Sequence, residues 1–398
     1  MSRIDELISQ FAPSGVRHVE LHQVASYSDT RVDAKELDET NFVGVDNLLP
    51  DKGGKTDANY EPNTDRLTAY APGDVLLGNI RPYLKKVWLA TNSGGCSGDV
   101  LAIRIREDER PALIPKFLYY VLSSDTFFAY NMQNAKGAKM PRGSKSAILK
   151  YVVPIPPVEV QREIVRVLDS FSALEAELEA ELEARRRQYA YYCHYLLTFP
   201  EDVPRVPLDK VCSRVTSGGT PSTLHPEYYG GDIPWVRTSE VDYKPIYATE
   251  ITITEEGLRK SSAKWIPARS VIVAMIGATA GKAAFNEVDV TTNQNCCNLI
   301  VDPEKAHYKF VYYWLCREYA TLRGLAPGAV PIINAGKIKQ FHLPLPSLAE
   351  QQRVVDILDK LSAFVTDPSS GLPAELSARR TQYEYYRDKL LTFEEASV

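Results

Sequence analysis

YVVPIPPVEVQREIVRVLDSFSAL at residues 151–174 returns as FHLPLPSLAEQQRVVDILDKLSAF at residues 341–364, and this pair decides how the chain is organised. The two stretches align from end to end without a gap. Further on, ARRRQYAYYCHYLLTF (184–199) returns as ARRTQYEYYRDKLLTF (378–393), shifted by four more positions and identical at 11 of 16. Self-similarity of this length means one structural unit used twice. The repeat reaches outward as well. VRHVELHQV (16–24) and VPRVPLDKV (203–211) both read V-x-x-V-x-L-x-x-V, and KFLYYVL (116–122) answers KFVYYWL (309–315). Each copy opens on a short strand, runs through a domain-sized stretch of mixed structure, and closes on P-x-P and a helix.

The prolines fix where each helix starts. Pro154 and Pro156, like Pro344 and Pro346, cannot sit inside a helix and bias the residues before them to extended form. Helical spacing begins directly afterwards: Ile164, Leu168, Phe171, Leu174, Leu178 and Leu182 recur at three- and four-residue steps, continued by Tyr189, Tyr192 and Leu196. At ~1.5 Å per residue, the stretch from Val158 to Phe199 could span roughly 60 Å. The second copy carries TDPSSGLP (366–373), where Pro368 and Gly371 should break the helix and Pro373 restart it. The stripe resumes at Leu376, Tyr383, Tyr386 and Leu390. Neither helix has partner surface enough alone, so the two are expected to pair as an antiparallel coiled coil. The N-terminal helix IDELISQF should pack near the end of the second one. The expected order is a mixed domain (1–153, with its short N-terminal helix), a first spacer helix (154–199), a second mixed domain (200–343), and a second spacer helix (344–398) broken near 366–373. The fold class is α+β, two α/β-mixed domains separated by two long helices, with a pseudo-twofold internal repeat. A dimerising coiled coil in a protein-binding scaffold is the competing reading of the helices, and the Glu run 175–183 reads as a solvated face.

Composition limits the function classes. A chain of 398 residues suits two domains plus connectors. The N-terminus lacks the apolar core of a signal peptide, and no stretch approaches the roughly 18–20 apolar residues that span a bilayer, so a cytoplasmic protein without a membrane partner is expected. The six cysteines form no C-x-x-C pair and read as buried, reduced thiols. His18 and His22 are four apart, but VRHVELHQV alternates like a strand, which argues against a helical metal pair and leaves no metal site expected. A net charge of −5 excludes a polybasic protein that coats DNA. Residues 1–150 carry 19 basic and 19 acidic side chains, and residues 200–343 carry 16 and 15, so both mixed domains are neutral enough to hold local basic patches.

Between the helices, VLLGNI (75–80), DVLAIRI (99–105), ITIT (251–254), VIVAMIG (271–277) and CNLIVD (297–302) read as strands. Tyr119, Tyr120, Tyr312 and Tyr313 lie on aromatic helix faces that read as core rather than as base-stacking surface. Several loops have the chemistry to meet nucleic acid. GNIRPYLKK places Arg81, Lys85 and Lys86 around Tyr83, and KGAKMPRGSK holds Lys136, Lys139, Arg142 and Lys145 with no acid between them. The second domain offers Thr220 and Ser222 in SGGTPS, Trp235 and Arg237 in IPWVRTSE, Thr279 and Lys282 in GATAGK, Asn293 and Gln294 in TTNQN, and Asn334 and Lys337 in INAGKIK. Arg and Lys serve guanine edges or phosphates, and Asn or Gln pairs adenine. Solvated loops explain such residues equally well one at a time; their recurrence in two repeats is what favours DNA.

With these residues in view, the chain resembles the specificity (S) subunits of type I restriction–modification enzymes. The likeness rests on GGTPS, Y-x-G-G-D-I-P-W-V, I-T-E-E-G-L, S-S-A-K, G-A-T-A-G-K, T-T-N-Q and both helix motifs across residues 203–393, and on FVGVDNLL and PGDVLLGNIRPYLKK in the first half. The resemblance implies two target recognition domains, each reading one half of a split asymmetric DNA site, with the helices acting as ruler. It implies as partners double-stranded DNA, two modification (methyltransferase) subunits and restriction/translocase subunits. S-adenosylmethionine, ATP and Mg would belong to those partners, and this chain would hold no cofactor. An S-like subunit of another modification system fits the same residues.

Enzyme readings fail on spacing. In GATAGK, Gly277 and Gly281 enclose three residues and Ala283 follows Lys282, so the four-residue gap and the hydroxyl of a phosphate-binding P-loop are both missing. No Asn/Asp-Pro-Pro-aromatic motif of an adenine methyltransferase is present; EPNTDR (61–66) lacks the second proline and the aromatic. Neither Asp51 nor Asp74 has the Glu-x-Lys a metal-dependent nuclease would supply nearby. A non-catalytic chain is the expectation.

Overall fold

A computed structural model describes residues 3–326, 331–366 and 371–396. The chain divides into two compact units, Met1–Glu179 with Glu375–Val398, and Ala180–Ala374. Each unit is one mixed head together with stretches of both spacer helices, so the division runs through the helices and not between the expected domains.

The first head holds two four-stranded sheets. One runs in the order Ala25–Tyr27, Val100–Ile105, Val75–Gly78, Val87–Leu89, all antiparallel. The other runs Arg31–Asp33, Arg66–Tyr70, Gly94–Cys96, Phe42–Val43, with its last pair parallel. The second head has a five-stranded sheet, Cys212–Ser217, Cys296–Val301, Val271–Ala274, Ala283–Asn286, Pro245–Ile246, and a three-stranded one centred on Tyr229–Val236. The central strands are buried on both faces, which is why they read as unbroken apolar runs. The repeat holds at the level of register. Val75 faces Leu89 and Ile103, while Val271, at the matching place in the second copy, faces Phe285 and Leu299.

Each head closes on itself where its segment begins and ends. Arg17–Glu20 pairs with Val152–Ile155, and Arg205–Pro207 pairs with His342–Pro344. The alternating pattern of VRHVELHQV is only half strand: the chain turns into helix at Leu21–Val24, as it does at Leu208–Val211. Leu21 and His22 donate their N–H groups to Tyr151 and Leu149 (2.9 and 2.8 Å), leaving no ladder to continue, and Leu21 and Val24 enter the core one helical turn apart. His18 lies on the strand and His22 on the turn, each with a local oxygen partner.

The first spacer helix is unbroken from Val158 to Leu196. The second is two helices, Leu348–Thr366 and Gly371–Leu390; Gly371 has φ +67° and Pro373 sits in the first turn, where a missing N–H costs nothing. Pro368 lies outside the described residues. In both units the paired stretches run antiparallel. In the first, Phe171 stacks on Tyr386 (5.7 Å) and meets Tyr383, while Glu175 and Glu179 bind Arg380. In the second, Arg185 lies over Phe364 (5.9 Å), and Tyr189, Cys193 and Leu196 share one apolar cluster with Val354, Val355 and Leu358. The seam is narrower than the spacing suggests. Leu174 is 36% exposed, because the partner meets that stretch through the Arg380–glutamate contacts, which also take Glu175 and Glu179 out of the purely solvated run. Ile4, Leu7 and Ile8 of the N-terminal helix pack in one cluster with Leu390, Leu391 and Phe393, as expected, and Val16 exchanges backbone hydrogen bonds with Glu394 and Ala396 (2.9 and 3.0 Å). Among the described residues, no helix is long and apolar enough to cross a membrane.

What fastens helix to head is polar and occurs twice. Gln161, fully buried, accepts from the Ile114 N–H (2.9 Å) and donates to the carbonyls of Ala112 and Pro156 (both 2.7 Å). Gln351, its counterpart in the repeat and equally buried, accepts from His307 N–H (2.8 Å) and donates to Pro346 (2.9 Å). Two turns further along, Asp169 receives Lys116 (2.8 Å) and the Tyr120 hydroxyl (2.6 Å), and Asp359 receives Lys309 (2.7 Å) and Tyr313 (2.6 Å). The aromatic rows KFLYYVL and KFVYYWL thus face the core and the helix, as their spacing suggested. Gln161→Leu strands one donor and two acceptors in the interior and should cost about 3 kcal/mol in denaturant unfolding. Gln351→Leu should cost a comparable amount.

Candidate nucleic-acid interface

In each head the chain leaves the central strand into a tight turn, and a second loop closes on that turn by backbone pairing. In the first head Arg81 N–H donates to Pro141 O (2.7 Å), Gly143 N–H donates to Asn79 O (3.1 Å), and Ile80 bridges Arg142. The second head does the same with other residues: Gly277 N–H to Pro331 O (3.0 Å), Ile333 N–H to Met275 O (2.8 Å), and Ile276 bridging Ile332. Both second loops then enter a short helix through a side-chain cap, Ser144 in one and Asn334 in the other. GNIRPYLKK and KGAKMPRGSK, distant in sequence, therefore form one edge, and GATAGK joins INAGKIK in the same way.

On the first edge, Arg81, Tyr83 (50%), Lys136, Lys139, Arg142 and Lys145 are exposed. Arg142 holds Asp99 at 3.2 Å, a surface pair weak enough to be exchanged for a phosphate. Lys85 and Lys86 belong elsewhere, contrary to expectation. The Lys85 ammonium is taken up by Asp125 (2.7 Å) and that of Lys86 by the Val45 carbonyl (2.8 Å), since the turn directs both back toward the head.

The second head assembles a further patch from SGGTPS, SSAK and TTNQN. Gly219 N–H donates to Thr292 O (2.9 Å), and Thr220 bonds Gln294, which is itself exposed. Gly218 and Gly219 have no room for a side chain: a Cβ would lie within 1.9 Å of Thr292 O and 2.2 Å of Ser262 Oγ. Trp235 is the correction here. It is 5% exposed with its indole N–H on Gly219 O (3.0 Å), so it supports this loop from below and offers no free ring. Asn293 is also buried and folds its side chain onto the Asn295 N–H (3.0 Å). Arg237 binds Glu250, Lys282 binds Asp242 (2.6 Å) and Lys337 donates to Leu325 O (2.7 Å). Ser222 is exposed, and Thr279 sits half-exposed on the turn beside the second edge. Ile332, absent from the sequence-based set, is 57% exposed on that edge, at the position that answers Arg142 in the repeat.

Burial pushes the Cys96, Cys212 and Cys297 thiols up to about 12, far from a reactive thiolate. Among the described residues, no group of three or more His, Cys, Asp or Glu side chains could hold a metal ion. What the edges offer is hydrogen-bond donors, cations and one aliphatic side chain on rigid turns.

Known proteins share this plan. A specificity subunit of a type I restriction enzyme from Escherichia coli is 36% identical over 256 residues, 61% of this chain and 63% of that protein, so the match spans less than two thirds of the relative's length. Among solved structures, one from a study of the assembly of a type I restriction–modification system covers 95% of this chain and 98% of its own, with TM-score 0.63 at 20% identity. The HsdS subunit of Thermoanaerobacter tengcongensis covers 96% and 97%, with TM-score 0.51 at 20% identity. The family profile of the type I restriction modification DNA specificity domain matches residues 90–184 and 200–378. A two-unit chain with both of its repeats matched in this way belongs to the type I restriction–modification DNA specificity family.

Proposed function

We propose that this chain is the DNA-recognition subunit of a type I restriction–modification complex. Each head reads one half of a bipartite asymmetric site in double-stranded DNA, while the helices set the gap between the halves and dock two modification subunits. The chain itself is non-catalytic and cytoplasmic and holds no cofactor. Methylation with S-adenosylmethionine, and ATP- and Mg-dependent translocation and cleavage, belong to the modification and restriction subunits. One observation carries the reading: the same loop-on-loop edge is built twice, with different side chains on it. A duplicated scaffold with divergent edges is what reading two unlike half-sites requires. The first edge presents guanidinium and ammonium groups, suited to guanine edges and phosphates.

Exchanging residues 16–150 for the same region of a relative should change one half of the recognised site and leave the other intact. The readout is methylation mapping in cells carrying the partner subunits; a change in both halves contradicts independent reading. Replacing Lys139, Arg142 and Lys145 together by Ala should weaken duplex binding and reduce the slope of log affinity against log salt by about 0.9 for each phosphate no longer neutralised. An unchanged slope removes this loop from the interface.

A further inference from the structure

Among the described residues, one ion cluster in the first unit has no counterpart in the second. Asp125, in the first turn of the helix Asp125–Gln133, receives Lys85 (2.7 Å) and Lys52 (3.0 Å) on one oxygen and Arg387 (2.7 Å) on the other. Arg387 lies on the C-terminal helix, and its side chain is 1% exposed. The residues of the second unit that correspond to Asp125 and Arg387, read from the repeat, are Glu318 and Cys193; there Glu318 binds its neighbours Arg317 and Thr321.

The backbone around this cluster is held in a costly form. Asp51, Lys52, Arg81 and Lys85 have φ of 52°, 65°, 51° and 50°, four of the six left-handed non-glycine residues among those described. Asp51 and Lys52 donate their N–H groups to Leu84 O and Lys85 O (2.9 and 3.0 Å), which ties the two strained loops together. The second head makes the same turn with glycine at both of its corresponding left-handed positions, Gly277 (77°) and Gly281 (88°) in place of Arg81 and Lys85. Glycine adopts this conformation without strain, whereas Lys85 and Arg81 do not. Side chains kept at strained positions point to a use for those side chains. For Lys85 that use is Asp125.

We propose that Asp125 is a positioning residue for the first reading edge: by gripping Lys85 and Lys52 against Arg387, it fixes the 81–86 turn, and with it Arg81 and Tyr83, to the C-terminal helix. This rests on the reading that the edge faces DNA. The carboxyl of Asp125 is held below the ordinary carboxylate range: burial opposes ionisation, but the bonds from Lys85 and Lys52 and the charge of Arg387 outweigh it. Burial, followed by repulsion from Arg387, pushes the Lys52 ammonium down, and its bond to Asp125 works against that shift. Removing the acid would loosen the turn and release two cations toward solvent.

The test uses the full-length chain and selection of preferred sequences from random duplexes, with D125N and K85G side by side. K85G relieves backbone strain, so it should fold even if D125N is destabilised. Both variants should lose base discrimination in the first half-site by about tenfold, roughly the worth of one good base contact, and keep the second half unchanged. D125N alone should steepen the salt dependence of binding, by about one to two in slope, as Lys52 and Lys85 become free to meet phosphates. Asp125→Glu should restore the first half in part. If neither D125N nor K85G alters the first half, or both lower the two halves equally, the positioning role is wrong. An R81A/R142A double variant separates the two ideas. If it alters the first half while D125N and K85G do not, only the positioning role falls. If it too changes nothing, the reading of this edge falls and the proposal with it.

Discussion

The structure depends on a buried glutamine that stitches each spacer helix to its own head. Gln161 and Gln351 sit at the first turn after the P-x-P segment, and each satisfies backbone groups of the head that would otherwise be stranded in the interior. Asp169 and Asp359 repeat the hold further along through a lysine and a tyrosine hydroxyl. Apolar packing brings helix and head together but tolerates sliding. Hydrogen bonds from a fully buried amide do not, because any shift leaves donors unpaired at about 1–3 kcal/mol each. On the proposed function, loops that meet DNA in a set register need a non-sliding base of this kind. Its use in both units explains why the helix motifs are so much better preserved between the copies than the loops are.

The two heads keep one backbone and differ in what they hang on it. Identical ladder registers place the turn after the central strand, and identical bridges close the second loop over it. From there the chemistry separates: Arg142 against Ile332, Ser144 against Asn334, and left-handed Arg81 and Lys85 against Gly277 and Gly281. The first head is the more strained, and its edge is the more cationic. The second assembles a neutral patch in which Thr220, Gln294 and the Gly218–Gly219 pair are locked by Trp235 beneath them.

The architecture was legible because repeats and helix periodicity survive in the sequence. The unbroken first helix and the broken second one, the docking of the N-terminal helix and the inward aromatic rows all follow from spacing alone, whereas the compact units divide within the helices and not at the expected domain bounds. The interface was legible only in part, for physical reasons. A lysine in a loop reads as a surface cation, yet Lys85 and Lys86 are turned inward by a left-handed turn that local sequence, lacking glycine, does not announce. Trp235 reads as an interface residue of its loop, but its burial depends on Gly219 arriving from the loop that follows Cys212–Ser217. Leu174 fits the apolar stripe, yet its exposure depends on how Arg380 of the other helix approaches. Ile332 could have been found in advance, by asking which residue occupies the place of Arg142 in the second copy.

The proposed function has two heads, each fixed to its helix, reading half-sites separated by the length of that helix. Its most direct test is the preferred gap in the bipartite site after four residues are inserted into the first spacer helix beside Ala176. The insertion lengthens a helix by about 6 Å. The account predicts half-sites of unchanged sequence, with a gap wider by about two base pairs at ~3.4 Å each. Unchanged half-sites at the original gap would contradict it.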